Sequence, residues 1–392
     1  MTTRVAIAGI GMTAFGKFLD RSVRSLSEEA VRIALEDAGI GAERVERVYF
    51  GNAASGVITG QEMVRAQAAL RNTGLMGKPM INVENACATG STAFHLAWQC
   101  VEAGQADIVL VVGAEKLTHA DKAVSFGAFG GAVDKEEVLP AHVGTGSGSI
   151  FMDIYAERTR RYMEATGTTA ADIASVVVKS RHAASLNPFA QFRKMTTVDE
   201  VLAGRMISSP LTLPMCSSIG DGAAAIVLCS PKALAQLTGC RPVWVAASAL
   251  VSGSADPTKP NATFRAAQAA YESASIGPAD VHVVEVPDAS APGELINCET
   301  LQLCEQGQAV ELLRSGATDL GGKISVNPSG GLLSRGHPIG ATGTAQIFEL
   351  VQQLRGEAGK RQRPAAKVAL AQNSGGQVGG DSAAAVCTIL VA

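Results

Sequence analysis

Two short segments hold side chains that could carry out nucleophilic chemistry, although they lie far apart in the chain. One reads Asn-Ala-Cys-Ala-Thr-Gly-Ser, residues 85–91, and the other reads Ser-Arg-Gly-His-Pro-Ile-Gly-Ala-Thr-Gly, residues 334–343. Cys87 precedes a predicted helix, whose positive dipole end and free N–H groups favour a thiolate. His337 supplies an imidazole that could hold that thiolate. Together the two segments suggest a Cys/His acyl-transfer enzyme.

Taken singly, neither residue indicates a function. Free cysteine is among the most buried residue types, so Cys87 alone would be a packing residue. His337 alone would be a helix-capping residue in a glycine-rich loop. The amide of Cys87 could donate a hydrogen bond to a developing oxyanion, and the glycines from Gly330 to Gly343 are expected to let backbone approach a ligand. A third glycine cluster, residues 372–380, could form an anion nest but lacks a P-loop ending.

The composition limits what this pair can mean. With 392 residues, 47% hydrophobic and 18% charged, the chain is expected to be globular with two core units. A net charge of -3 with scattered Lys and Arg gives no electrostatic case for nucleic acid. The eight cysteines include no C-x-x-C pair, so we predict no metal site and no disulfide framework. Without a signal-like start or a membrane-length apolar run, we expect a cytoplasmic protein.

The chain repeats itself, which indicates its architecture. Residues 38–48 resemble residues 274–284 at a constant offset of 236. Each copy follows an alanine-rich helical segment and ends in a predicted strand. Further along, each copy has another predicted helix, Ala88 to Gly104 in the first and Gly343 to Arg355 in the second. Each of these helices is followed by an apolar strand, which in the first copy is typical of burial on both faces. The pattern predicts an α/β fold of two similar halves, each alternating strands and helices.

The remaining residues suggest an insertion between the halves. We assign 1–116 to the first half, 117–231 to an inserted loop domain with a return strand, and 232–392 to the second half. The insertion holds a glycine stretch expected to be mobile, Phe126 to Gly131, and a polar helical segment, Met152 to Thr166. Insertions over the carboxyl ends of strands usually carry ligand contacts in α/β folds.

Five motifs in this order resemble the thiolase superfamily, and within it the sterol-carrier-type or acetyl-CoA acetyltransferase-like branch. They are the Cys87 segment, Ser185–Gln191, Gly220–Ala225, Asn327–Gly331 and Gly336–Gly343. The resemblance covers essentially the whole chain. It implies a five-layered αβαβα fold, at least a dimer and coenzyme A thioesters as substrates, with no permanently bound cofactor. It also implies Cys87 as acyl-accepting nucleophile, His337 as its base, and amides of Cys87 and Gly375 as the oxyanion hole.

One family motif is rewritten. Where these thiolases usually carry His-Asp-Cys-Phe, this chain has Pro287, Asp288, Ala289 and Ser290. An oxyanion donor is worth roughly 10²- to 10³-fold in rate and a general acid/base roughly 10²- to 10⁴-fold, so we expect a replacement. The candidates are His142 and Ser374, then the weaker His119 and His182, and a water held by Asp288.

The leading hypothesis is a coenzyme A-dependent acyltransferase that cleaves a β-ketoacyl-CoA through acyl-Cys87. Small residues at the rewritten motif suggest a bulky acyl group. Two alternatives stay open: retro-aldol or carbon-acyl transfer chemistry on the same fold, and a non-catalytic protein that binds acyl-CoA or lipid. The resemblance further implies a homodimer or dimer of dimers, and a separate small zinc-ribbon and OB-fold partner protein.

Overall fold

The computed structural model describes residues 4–141, 143–145, 147, 149–256 and 258–392. The strands are β1 Val5–Met12, β2 Arg47–Gly51, β3 Met80–Val83, β4 Ile108–Glu115, β5 Met206–Ser208, β6 Leu211–Thr212, β7 Gly222–Cys229, β8 Val243–Ser252, β9 Val283–Glu285, β10 Ser325–Val326, β11 Val368–Gly375 and β12 Ala384–Val391. The helices are α1 Val23–Ala38, α2 Ser55–Thr59, α3 Arg65–Ala69, α4 Thr89–Glu102, α5 Lys122–Phe129, α6 Ile150–Thr166, α7 Ala170–Ser185, α8 Val198–Leu202, α9 Pro231–Leu234, α10 Ala262–Ala274, α11 Pro292–Thr300, α12 Ala309–Arg314 and α13 Ile339–Arg355.

The main sheet shows the duplication directly. Its strand order is β10-β9-β11-β12-β8-β1-β7-β4-β2-β3, and the two halves join through an antiparallel pairing of β1 with β8. Counting outward from that junction, each half has two antiparallel neighbours followed by two parallel ones. The α/β architecture of two similar halves is therefore confirmed.

Helices complete the five layers. Helix α1 packs on the outer face of the first half, α10 packs on the outer face of the second half, and α4 and α13 lie between them against strands of both halves. Nearly every residue of α13 is buried, as expected of a helix enclosed on all sides. The residues before α4 and α13 therefore reach the same region of the molecule.

Close contact between the two inner helices depends on glycine. A Cβ added to Gly343 would lie 2.3 Å from the Ser91 nitrogen, and one added to Gly90 would lie 2.9 Å from the Gly340 carbonyl oxygen. Such distances are below van der Waals contact, so only glycine permits this crossing. Gly90 and Gly343 thus bring together the helices that follow Cys87 and His337.

Two predicted helix boundaries need correction, and one glycine stretch is helical. The stretch from Phe126 to Gly131 lies largely in α5, whose start Asp121 caps by accepting a hydrogen bond from the Ala123 amide. The second inner helix begins directly after Pro338 rather than at Gly343. The polar segment of the insertion begins two residues earlier than predicted, where Ser149 caps α6. In the described part of the chain, no helix combines the length and apolarity needed to cross a membrane.

Candidate active site

Cys87 lies in a tight turn between β3 and α4. Residues Ala86–Ala88 form a 3₁₀ turn, and Ala86 has a left-handed backbone with φ of 47°. The Asn85 amide donates to Thr89 Oγ1 at 2.9 Å, which holds the entry to the turn. Gly375 at the end of β11 lies directly behind it, since an added Cβ would lie 2.8 Å from the Cys87 nitrogen. The glycine loop of the second half thus abuts the nucleophile turn of the first half.

His337 is held in one orientation and one tautomer. Its Nδ1 lies 2.8 Å from Thr342 Oγ1, and the Thr342 hydroxyl donates to the Pro338 carbonyl at 3.0 Å. Because that hydroxyl has a single hydrogen and directs it to Pro338, we assign its oxygen as the acceptor for His337 and the imidazole proton to Nδ1. Nε2 is then unprotonated and able to act as a base.

A buried carboxylate anchors the start of α13. Glu115, at the end of β4, accepts hydrogen bonds from the amides of Gly340 at 3.0 Å, Ala53 at 3.1 Å and Ala54 at 3.2 Å. Burial raises the pKa of Glu115 to about 7 against the opposing effect of these amides. Glu115 ties the His337 region to strand β4 of the first half, and sequence reasoning did not identify it.

The segment from Asn187 to Gln191 braces the other side of the His337 loop. The Asn187 side chain donates to the Ser329 carbonyl at 2.8 Å, and the Gln191 amide donates to the Arg335 carbonyl at 3.0 Å. The Ser185–Gln191 motif therefore serves to position the loop that carries His337. Its own side chains do not line the cavity described next.

Cys87 and His337 line one cavity of about 330 Å³, together with residues from both halves and the insertion. Three further predicted site residues, Pro287, Ala289 and Ser374, line the same cavity. The structure thus unites the two motifs that the sequence paired.

The charge state of the pair differs from the prediction of a thiolate. Burial, and then the negative charge of Glu115, raise the pKa of Cys87 to about 12. Burial and the neighbouring Arg335 lower the pKa of His337 to about 3. Near pH 7 the resting site therefore holds a neutral thiol and a neutral imidazole, because desolvation outweighs the helix dipole. Such a pair can react if the thiol loses its proton to the imidazole during attack on a substrate.

Asp288, expected to be able to hold a water in the site, lies outside the cavity. Its buried carboxylate accepts hydrogen bonds from the amides of Leu332 and Leu333 in the π-helical turn Gly331–Arg335, and it does not line the cavity. Burial and the neighbouring Glu294 raise its pKa to about 7. Asp288 is therefore a structural cap for the loop before His337.

The other acid/base candidates lie in different places. The Ser374 hydroxyl lines the cavity but is held by Gln372 Nε2 at 2.9 Å and faces Thr263 Oγ1 at 3.2 Å. His119 and His182 are exposed and line no part of the cavity. His142 lies outside the described residues.

Sequence reasoning missed the face of helix α6 that lines the cavity. Phe151, Tyr155, Arg158 and Thr159 recur at helical spacing and point to the side of Cys87. The spacing itself was a readable signal within a segment interpreted only as polar. No group of three or more potential metal ligands occurs within the residues that the structure describes.

Family models match both halves of the chain. The model described as thiolase, N-terminal domain, matches residues 5–206, and the model described as thiolase C-terminal domain-like matches residues 245–389. The chain belongs to the thiolase family. This thiolase has the sheet order and inner helices described above, and its Cys87 and His337 come from its two matched parts.

Curated relatives extend the match over nearly the whole thiolase chain. An acetyl-CoA acetyltransferase of Methanothermobacter thermautotrophicus is 39% identical over 381 residues, covering 96% of this chain and 97% of the relative. The benzoylsuccinyl-CoA thiolase subunit BbsB of Thauera aromatica is 39% identical over 383 residues, covering 95% of each. Sterol carrier protein 2 of Bos taurus is 37% identical over 389 residues, covering 96% of this chain and 70% of the relative.

Solved structures agree on the fold. A structure titled Ltp2-ChsH2(DUF35) aldolase matches with a TM-score of 0.81 and 25% identity, covering 99% of this chain and 98% of the other. Human mitochondrial 3-ketoacyl-CoA thiolase matches with a TM-score of 0.74 and 18% identity, covering 100% and 99%. The predicted family, branch and fold are confirmed, and this thiolase is a coenzyme A-dependent acyltransferase of the thiolase type.

Proposed function

We propose that this thiolase cleaves a β-ketoacyl-CoA through a covalent acyl-Cys87 intermediate. The observation that carries the proposal is the shared cavity, which Cys87 lines from one half of the fold and His337 from the other. The fixed tautomer of His337 supplies an unprotonated nitrogen for the thiol proton.

In the first half-reaction, Nε2 of His337 takes the Cys87 proton as the sulfur attacks the keto carbon. The amides of Cys87 and Gly375 stabilise the oxyanion of the tetrahedral adduct, which fits their contact across the nucleophile turn. Collapse of the adduct breaks the carbon–carbon bond and releases the enolate of acetyl- or propionyl-CoA. Coenzyme A enters the second half-reaction as a substrate, and its thiol attacks acyl-Cys87 to form the new acyl-CoA.

We further propose a bulky acyl group. Pro287 and Ala289 present small side chains to the cavity where the family motif has larger ones. The relative in Thauera aromatica is named for benzoylsuccinyl-CoA, a substrate with an aromatic acyl group. The cavity wall beside Ala289 is therefore where we place the acyl chain.

The proposed partners are a second copy of the chain and a separate small protein. Strand β3 ends the sheet with one edge unpaired in the described residues, and Met63 and Val64 are exposed nearby, which suits an interface between copies. One relative is named as a subunit, and the aldolase title joins two components. Both names support a hetero-oligomer.

The test uses a panel of straight-chain, aromatic and steroid-side-chain β-ketoacyl-CoAs. We expect acyl-CoA products and an acyl adduct on the Cys87 peptide, detected by mass spectrometry after rapid acid quenching. Cys87→Ala should abolish both, whereas Cys216→Ala, which removes a half-buried cysteine outside the cavity, should retain them. Normal thiolysis by Cys87→Ala would refute the mechanism.

A retro-aldol reaction is the second candidate function. It is favoured by the absence of a proton-transferring side chain at positions 287 and 289, and by the likeness to the structure titled as an aldolase. In that case a β-hydroxyacyl-CoA would yield a carbonyl product without consuming coenzyme A. No adduct would form on Cys87, so the same quenching experiment separates the two reactions.

A further inference from the structure

The proposed thiolysis leaves two proton transfers without a side chain to perform them. The enolate that departs after carbon–carbon cleavage must gain a proton at carbon, and the coenzyme A thiol must later lose one. His337 holds the proton taken from Cys87 at that stage. A second group must therefore move these protons, and we call its two transfers the second proton relay. Its assignment rests on the proposed function.

Helix α6 presents one continuous face to the cavity. Phe151, Tyr155, Arg158 and Thr159 follow the spacing of a single helix face, and all four line the cavity with Cys87. Arg158 Nη2 donates to Gln377 Oε1 at 2.8 Å, which fastens this face to the loop after Gly375. This hydrogen bond fixes the position of helix α6 relative to the turn that holds Cys87.

Tyr155 differs from the other tyrosines of the chain. Tyr162 donates its hydroxyl to Glu299 at 2.6 Å, Tyr271 donates to the Leu301 carbonyl at 2.9 Å, and Tyr49 interacts with Cys100 and Arg47. Tyr155 has no hydrogen-bond partner for its hydroxyl among the described residues. A phenol at a cavity wall with no protein partner is available to a substrate.

Ser374 and the other ionisable side chains that line the cavity, Asp381 and Arg158, are less suited to move a proton. Ser374 is held by Gln372, and Asp381 accepts hydrogen bonds from the amides of Ala262 and Ser254. Arg158 is permanently charged and cannot be deprotonated. Tyrosine is an accepted general acid and base, so Tyr155 is left as the candidate.

We propose that Tyr155 is the general acid and base of the second proton relay. The Tyr155 O–H bond breaks as its proton goes to the α-carbon of the departing enolate, which completes acetyl- or propionyl-CoA and leaves a phenolate. The phenolate then takes the proton of the incoming coenzyme A thiol, and the resulting thiolate attacks acyl-Cys87. The sulfur of Cys87 leaves, regains its proton from His337, and the cycle closes with no outside reactant.

The surroundings of Tyr155 suit this role. Burial and the neighbouring Cys87 raise the pKa of Tyr155 above its usual value, and Arg158 opposes them to a lesser degree. The group is therefore a protonated donor in the resting enzyme, and its phenolate, once formed, is a strong enough base for a thiol. Because the charge of Cys87 affects the pKa of Tyr155, the two side chains are close enough to interact electrostatically.

The experiment separates the second proton relay from acylation. Acetyl-CoA and propionyl-CoA serve as exchange probes in D₂O, where nuclear magnetic resonance follows deuterium entry at the α-carbon. Acylation is followed separately by mass spectrometry of the Cys87 peptide, with a β-ketoacyl-CoA that the wild-type enzyme cleaves and with no coenzyme A added, so that the coenzyme A thiol takes no part. For Tyr155→Phe we expect exchange to fall by about 10²- to 10⁴-fold while Cys87 acylation by the β-ketoacyl-CoA stays within about tenfold of wild type. Tyr162→Phe, on the same helix but outside the cavity, should exchange normally.

Each other result counts against the proposal. Wild-type exchange in Tyr155→Phe, or no exchange by the wild-type enzyme with either probe, would overturn the role of Tyr155. Loss of acylation together with exchange would make Tyr155 a structural residue. If Ser374→Ala loses exchange and Tyr155→Phe does not, the relay belongs to Ser374. Failure of wild-type Cys87 to form an adduct refutes the proposed function itself.

Discussion

Replacement of Thr342 by valine tests whether the tautomer of His337 controls the reactivity of Cys87. Valine keeps the volume of threonine and removes the hydroxyl that accepts the Nδ1–H of His337 at 2.8 Å. The Pro338 carbonyl, which also loses its bond to Thr342, still accepts from the Ala341 amide at 2.9 Å. The main effect of the substitution is therefore the loss of the hydrogen-bond acceptor for Nδ1 of His337.

The expected magnitude follows from leaving a buried donor unpaired, which costs about 1–3 kcal/mol. His337 is buried, so water cannot replace the lost acceptor. The imidazole avoids this unpaired donor by shifting its proton from Nδ1 to Nε2. Nε2 is then protonated and can no longer accept the proton of Cys87. At 1.36 kcal/mol for each factor of ten, the reactive tautomer and kcat should fall about 5- to 150-fold.

Two measurements check this expectation. Steady-state thiolysis gives kcat, and nuclear magnetic resonance of histidine labelled with ¹⁵N reports which ring nitrogen of His337 carries the proton. Thr344→Val is the matched control, because Thr344 is also buried in α13 and, among the residues that the structure describes, its hydroxyl bonds only the Ala341 carbonyl, at 2.8 Å. Thr342→Ser should restore most of the activity.

The reasoning would be refuted if Thr342→Val kept kcat within twofold of wild type with its tautomer unchanged. It would also be refuted if Thr344→Val lost as much activity. Either result would mean that position 342 matters for packing and not for the imidazole proton.

Three further predictions concern the inner helices and the buried charges. Gly343→Ala, whose Cβ would lie 2.3 Å from the Ser91 nitrogen, should lower the unfolding free energy by about 1–3 kcal/mol in urea denaturation, whereas Gly127→Ala, with open space around it, should not. The pKa of Glu115 rises from 4.5 to about 7 on folding, so its contribution to stability is full below pH 4.5 and lost as pH rises through 7. Glu115→Gln should therefore reduce the loss of stability between pH 5 and pH 8 by up to about 3 kcal/mol, measured as the unfolding free energy at each pH. Because the pKa of Cys87 is about 12, its alkylation by iodoacetamide, followed on the Cys87 peptide, should rise steadily from pH 7 to pH 9, and a plateau in that range would contradict a neutral thiol.

Much of the fold could be predicted because its signals are local. The offset of 236 residues between the copies relates helices α1 and α10 and strands β2 and β9. Each copy contains its own strands, turns and helices, so the same residues form the same elements twice. The start of α13 was misplaced because Gly340 and Gly343 look like loop residues until the opposing helix is known.

The site was predictable only in part. Cys87 and His337 were identified because few side chains can act as nucleophile and base, and because both precede predicted helices. Their neutral charge states were not predictable, since the pKa of each depends on burial that no local pattern reveals. Asp288 illustrates the same limit: its residue type suggested a water in the site, and its contacts made it a loop cap.

The sequence by itself determined the repeated α/β plan, the nucleophile and the imidazole, because these depend on residue type and on spacing along the chain. Only the tertiary structure decided how Thr342 sets the tautomer of His337, how Glu115 anchors α13, and that Tyr155 faces the same cavity as Cys87. These outcomes depend on contacts between distant segments and on the exclusion of water. Both arise when the chain folds and neither leaves a periodic trace in the sequence.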